Sequence, residues 1–408
     1  MTEHVLTEYR AFAANGAAGS PPWLRELRER AIARFTAVGF PTTRQEAWRF
    51  TSVRAVAEAA FTRTRAPWTV AGGARSAGVR VMPLDRALAE DGDLVAAHLG
   101  RHARLDDNPF TALATAFASD VIVVAVADRA ESAEPIRLTC RIPEHANAAM
   151  AFPRVLIVLG DHARATVIEQ YAGASPHPYF SAPVTEIVLG TGARLDHIRV
   201  QQEGAAALHL AATHSHQERD STLHSTSAVF GGALARQDVT AVLGGSGASL
   251  ILNGLSVVRG VQHVDHHTTI EHAQPHCESH ELFNGIFDGH SRGVFNGRII
   301  VHPGAQRTDS KQTSNNLLLS ADARADTQPQ LEIYADDVKC THGATLGPLD
   351  PSALFYLASR GIGPAEARGL LTYGFGADIL ARIPTPDVRE TLDRVVRERL
   401  GIAVPAAA

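Results

Sequence analysis

A thiol and an imidazole stand two residues apart in the segment Asp336-Asp-Val-Lys-Cys340-Thr-His342-Gly-Ala-Thr345. In an extended strand alternate residues point to one face, so Cys340 and His342 would present their groups side by side; on a helix they would diverge. Both are soft-to-borderline ligands suited to iron or zinc. Two ligands are only half a site, because an iron–sulfur centre normally takes four, usually cysteines. The chain has three cysteines, Cys140, Cys277 and Cys340, scattered and without a C-x-x-C pair. The spacing leaves two readings open: a structural pair, or half of a site that another chain completes.

Two other constellations compete. Histidines crowd the stretch 263–290, with His263, His266, His267, His272, His276 and His280 around Cys277, and His214-Ser-His216 lies near Glu218 and Asp220. Neutral imidazole is a common metal ligand, so a cupin-like metalloenzyme using these strands is the main alternative. Strand alternation, however, would spread the side chains over both faces. Gly289-His-Ser291-Arg-Gly293 fits G-x-S-x-G, but a nucleophile elbow needs a strand-to-helix turn, and the apolar run that follows reads as another strand. Ser291 is therefore expected in a polar turn.

The elements that would position these residues fall into three zones, taken as 1–119, 120–350 and 351–408. In the first, Leu24, Leu27, Ala31, Phe35 and Val38 recur at helical steps after Ser20-Pro21-Pro22. Leu84–Leu99 and Pro109–Ala118 read as further helices, while Arg63–Arg80 has no clear period. From Val121 onward, short β-branched runs recur every 10–15 residues between glycines, without a helical stripe, which disfavours βαβ units. The segments GDHARATVIEQ, GTGARLDHIRVQQ, GGALARQDVTAVL and GSGASLILNGL echo one another. Such repetition suits a stacked solenoid better than a β-sandwich. After Pro351 helical patterning returns over Pro364–Leu371 and Val388–Leu400.

The 408 residues carry 38 Lys+Arg against 43 Asp+Glu, a formal net charge of -5, so nucleic acid is not an expected partner. Only two lysines occur, Lys311 and Lys339, and no G-K-[ST] triplet exists. The chain thus lacks a Walker A loop, and any associated ATP hydrolysis belongs elsewhere. The acidic N-terminus has no apolar signal region, and no apolar run approaches the ~20 residues that span a bilayer. A cytoplasmic protein with reduced thiols is expected.

The run QTSNNLLLSADARADTQPQLEIYADDVKCTHGATLGPLDPSALFYLASRGI, from Gln312 to Ile362, resembles the core signature of the SufB/SufD family of iron–sulfur cluster assembly scaffolds. Within it, HGAT at His342–Thr345 and QEAWRFTS at Gln45–Ser52 are similar to the SufD branch. The resemblance implies a mainly β fold: a right-handed parallel β-helix flanked by N- and C-terminal helical domains. It implies a non-catalytic scaffold that pairs with a SufB-like subunit through the β-helix and docks a SufC-like ABC ATPase through the C-terminal helices. It also implies that His342, with Cys340 beside it, contributes to a transient cluster or iron shared with the SufB-like subunit. No tightly held cofactor is expected, although a reduced flavin on the assembled complex and a homodimer of the isolated chain are compatible with it. Glu366, one or two positions out of register with a glutamate of the SufB branch, inherits no role.

Overall fold

The computed structural model describes residues 2–15, 19–106, 108–142, 148–173 and 175–402. From Val121 to Gly347 the chain winds into a parallel β-solenoid of about eight turns. Two sheets grow side by side as successive strands alternate between them. The first runs from Val79–Pro83 through Val121–Val126, Arg154–Leu159, Val184–Leu189, Ala207–Gln217, Leu234–Leu243, His263–His272 and Arg292–Val301 to Arg324–Ile333. The second runs from Trp68–Gly72 through Ile136–Arg141, Arg164–Ala172, Arg194–Gln202, Thr222–Val229, Ser249–Val258, Glu278–Phe287 and Asp309–Leu318 to Lys339–Gly347.

The β-branched runs make this geometry. Their inward residues, among them Val124, Ile157, Ile187, Leu195, Leu243, Leu250 and Ile270, fill the space between the sheets. Each turn buries its inner face only against the turns above and below, so the stack is the unit of stability. The glycine turns seen in the repeats reverse the chain between sheets. Gly192 adopts φ +66, a region that costs any side chain strain.

The N-terminal zone departs from a purely helical reading. The aperiodic stretch supplies two strands, and both cap the solenoid: Trp68–Gly72 pairs antiparallel with Ile136–Arg141, and Val79–Pro83 with Val121–Val126. The anticipated Leu84–Leu99 helix is two, Leu84–Glu90 and Gly92–His98, broken at Asp91, whose backbone (φ -138, ψ 38) is not helical. Helices Thr2–Asn15, Pro22–Val38 and Pro109–Ala116 pack Phe12, Phe35, Phe110 and Phe117 onto Phe152, Phe180 and Leu208 on the outside of the first sheet.

Two buried ion clusters clamp that contact. Arg154 Nη2 lies 2.7 Å from Glu186 Oε1, and the same carboxylate accepts from the backbone N–H groups of Gly100, His102 and Ala103. Trp48 of the QEAWRFTS motif is buried under the Arg236 guanidinium, 3.7 Å away, and Thr51 Oγ1 donates to Asp265. That motif is therefore a staple between the N-terminal zone and the solenoid.

At the other terminus, helices Pro364–Leu380 and Pro386–Leu400 lay Ile379, Leu380, Val388, Leu392 and Val396 over Ile198, Leu255, Val257 and Ile286 outside the second sheet. The first is twice the expected length, since Gly374 and Gly376 obscure its second half. Helix Pro351–Ser359 buries no residue at all. None of the described helices is long and apolar enough to cross a membrane.

Candidate metal centre at the open end of the solenoid

Cys340 and His342 lie on the last strand of the second sheet, Lys339–Gly347, as the two-residue spacing requires. This strand pairs in register with Asp309–Leu318: Cys340 stands beside Ser310 and His342 beside Gln312. Ser310 and Gln312 are each 1% exposed and belong to the inward column of their strand. Cys340 and His342 therefore continue the interior columns of the solenoid into its final turn.

That turn has no lid. Arg324–Ile333 and Lys339–Gly347 terminate the two sheets, and each is paired along one edge only among the described residues. His342 is exposed, and Cys340 is half-buried against Ile299, Val301, Ala305 and Ala335. The N-terminal end of the stack finishes in the antiparallel strands Trp68–Gly72 and Val79–Pro83, whose outer edges are likewise unpaired among the described residues. An unpaired edge is a template for another chain, and at the C-terminal end the apolar Ile333, Tyr334 and Leu346 stand exposed along it.

Beneath the two candidate ligands the interior turns polar. Gln312 Nε2 donates to Glu281 Oε2 at 2.6 Å, Ser310 and Ser279 hydroxyls lie 2.7 Å apart, and His272 Nε2 is 2.8 Å from Ser279 Oγ. Gly297 makes room for this column: a Cβ there would fall 2.0 Å from Gln312 Nε2. Burial pushes the Glu281 carboxyl up to about 7, its hydrogen bond from Gln312 offsetting only part of the desolvation. Burial also raises the Cys340 thiol, and Asp309 adds to the effect. Cys340 therefore keeps its proton near neutrality and would have to give it up to bind a metal. The exposed imidazole of His342 would be the more accessible ligand of the pair.

The rival constellations disperse. His266 points inward onto Ser256 Oγ at 3.0 Å and His272 onto Ser279, whereas His267 pairs with Asp265 and His263 meets Thr51. His276 occupies a turn at φ +61 and His280 is exposed. His216 pairs with Glu218 at 3.3 Å, and Asp220 lies in a separate turn at φ +55. Among the described residues no group of three or more His, Cys, Asp or Glu side chains could hold a metal ion. Cys340 and His342 share that insufficiency: two donors at an open end need others from outside. Ser291 is buried in a turn between two strands, its hydroxyl facing Val258 O, so the nucleophile-elbow geometry is missing.

Sequence reasoning did not single out Gln312, Ser310 and Glu281 as the floor of the site. Their two-residue alternation was visible, but polar side chains on a strand normally face water.

Comparison with known proteins agrees with this architecture. Residues 141–375 match the family model described as SUF system FeS cluster assembly, SufBD core domain, and residues 70–138 match the SufBD protein N-terminal region. The chain is 30% identical to the iron–sulfur cluster assembly protein SufD of Escherichia coli, covering 98% of this chain and 96% of that one. It is 33% identical to an iron–sulfur cluster assembly SufBD family protein of Synechocystis over 76% of this chain and 70% of that protein. Identity to SufD of Bacillus subtilis is 27%, over 79% and 74% of the two chains.

Proposed function

We propose a specific role for this chain from one premise: it belongs to the SufBD family of SUF-system iron–sulfur cluster assembly proteins. It acts as a non-catalytic scaffold subunit whose uncapped final turn is covered by a SufB-like partner. The partner's strands extend both sheets, and its side chains supply the coordination that Cys340 and His342 leave incomplete. Iron or a nascent cluster is cargo at that junction, held by His342 as the principal ligand from this side and by the Cys340 thiolate once metal has displaced its proton.

The observation that carries this reading is the placement of Cys340 and His342 on the last strand of the stack. There the terminal sheet edges stand beside exposed Ile333, Tyr334 and Leu346, His342 faces solvent and Cys340 is half-buried. Beside it, helix Pro351–Ser359 presents Phe355, 77% exposed, and Tyr356, 56% exposed. Contiguous apolar surface of this kind marks a protein interface. We assign the SufC-like ATPase contact to this helix and to the uncovered side of Pro364–Leu380, where Leu370 is exposed.

Co-expression with SufB-like and SufC-like subunits, followed by native mass measurement, tests the assignment. A complex containing one copy of this chain and one SufB-like subunit is expected. Recovery of this chain only as a homodimer, with the other subunits unbound, contradicts it.

A further inference from the structure

At the N-terminal end of the solenoid, far along the chain from Cys340 and His342, a cavity of about 1120 Å³ opens between the N-terminal helices and the capping strands. Three arginines line it: Arg28 from helix Pro22–Val38, and Arg63 and Arg65 from the segment before the first capping strand. Arg28 and Arg63 lie over one ring, Phe12, at 5.4 and 4.5 Å.

Their charges are incompletely answered. Arg28 donates to Ala118 O and to the Ser20 hydroxyl, and Arg63 to the Ser119 hydroxyl. Among the described residues neither forms a salt bridge; Asp120 is taken by Arg65 at 3.1 Å and by the backbone N–H of Ala66. Burial lowers Arg28 to about 10, and it lowers Arg63 too; Asp120 and Glu8 offset part of the effect at Arg63, and Arg65 adds to it. Desolvated guanidinium groups that no carboxylate contacts directly gain from an anion that joins them. Asp120 and Glu8 act on Arg63 from nearby, but among the described residues neither guanidinium is paired directly with a carboxylate.

The remaining walls narrow the ligand. Trp23 and Trp68 are half-buried and line the same cavity, offering faces on which a flat ring can stack. Asp85 and Asp93, exposed on the wall made by the two short helices, accept hydrogen bonds from hydroxyl or amino groups. The volume lies at the size of a small-molecule site and far exceeds what an inorganic anion fills.

We propose that this cavity binds a nucleotide-like ligand, with its phosphate on Arg28, Arg63 and Arg65 and its ring against Trp23 and Trp68. Guanidinium suits the phosphate because its fixed fork matches two oxygens at once. The site is independent of the cluster role at the opposite end.

The test is tryptophan fluorescence of the full chain titrated with AMP, with adenosine and inorganic phosphate as separate probes. Saturable quenching by AMP, competed by phosphate and not reproduced by adenosine, is expected. Arg63→Gln should weaken AMP binding by about tenfold or more, as loss of one charge-assisted contact implies. Arg65 is 77% exposed, so Arg65→Gln gives a second reading in a variant that keeps its fold; the thermal transition of each variant checks this. No saturable response to AMP, equal response to adenosine, or wild-type affinity in both variants overturns the proposal.

Discussion

His342 and Gln312 are register partners on neighbouring parallel strands, yet Gln312 is sealed inside the solenoid and His342 faces solvent. The difference is one turn of the stack. A side chain that would be interior anywhere earlier is left uncovered because no further strand follows it. In the proposed function this inward position becomes a docking position.

The polar interior below that turn gives a pH signature. Glu281 has its proton affinity raised from 4.5 to about 7 by burial, so between those values the native state holds a proton that the unfolded state has lost. Raising the pH through that window therefore costs stability, by about 3 kcal/mol if the whole shift is realised. His266 and His272 do the reverse: burial lowers both from 6.5 to about 4, and acidification through that window costs stability because only the unfolded state protonates. Two histidines outweigh one carboxyl, so the protein should lose stability from pH 6.5 towards 4.5. Glu281→Gln removes the opposing contribution and should steepen that loss. Urea unfolding at several pH values reads both slopes; an unchanged slope in the variant would mean that Glu281 is ionised in the fold.

The clamp between the N-terminal zone and the solenoid should be sensitive to single changes. Glu186 is fully buried, and burial alone would raise its proton affinity, but Arg154 and three backbone N–H groups hold the carboxyl below its usual range. Glu186→Ala leaves Arg154 buried and unpaired, which should cost about 3–5 kcal/mol. Denaturant unfolding measures this directly, and a loss below about 1 kcal/mol would show that the pair contributes no more than a surface ion pair does.

Deleting the C-terminal helices is a poor test of partner docking, because Pro364–Leu380 and Pro386–Leu400 cover Ile198, Leu255, Val257 and Ile286. Phe355→Ser is cleaner, since helix Pro351–Ser359 buries nothing. The variant should fold as stably as the wild type, within about 0.5 kcal/mol, and lose at least tenfold in affinity for the SufC-like subunit in a pull-down titration. Undiminished affinity moves the ATPase contact elsewhere.

Much of the architecture was legible in the residues. Short β-branched runs such as Val155–Leu159 and Leu195–Gln201 mark strands because a buried parallel strand needs β-branched bulk, and the repeated glycine turns mark stacking. The capping strands Trp68–Gly72 and Val79–Pro83 were not legible. They form by pairing with residues far away along the chain, and Val70, facing outward, leaves no alternation to read. The Cys340–His342 pair stood out by residue type and spacing. Its floor did not, because Ser310, Gln312, Ser314 and Asn316 are inward yet polar, which reverses the usual cue. Nothing in a strand's own sequence says that it is the last in a stack.

The central claim is that His342 is the ligand this chain brings to a junction completed by another subunit. Its most direct test is anaerobic cluster assembly on the complex with SufB-like and SufC-like partners, comparing wild type with His342→Ala by iron content and visible absorption, with native mass as the control for assembly. The account predicts a complex of unchanged composition whose bound cluster falls at least fivefold, about 1 kcal/mol in the binding equilibrium. Full cluster content on an intact His342→Ala complex would contradict it.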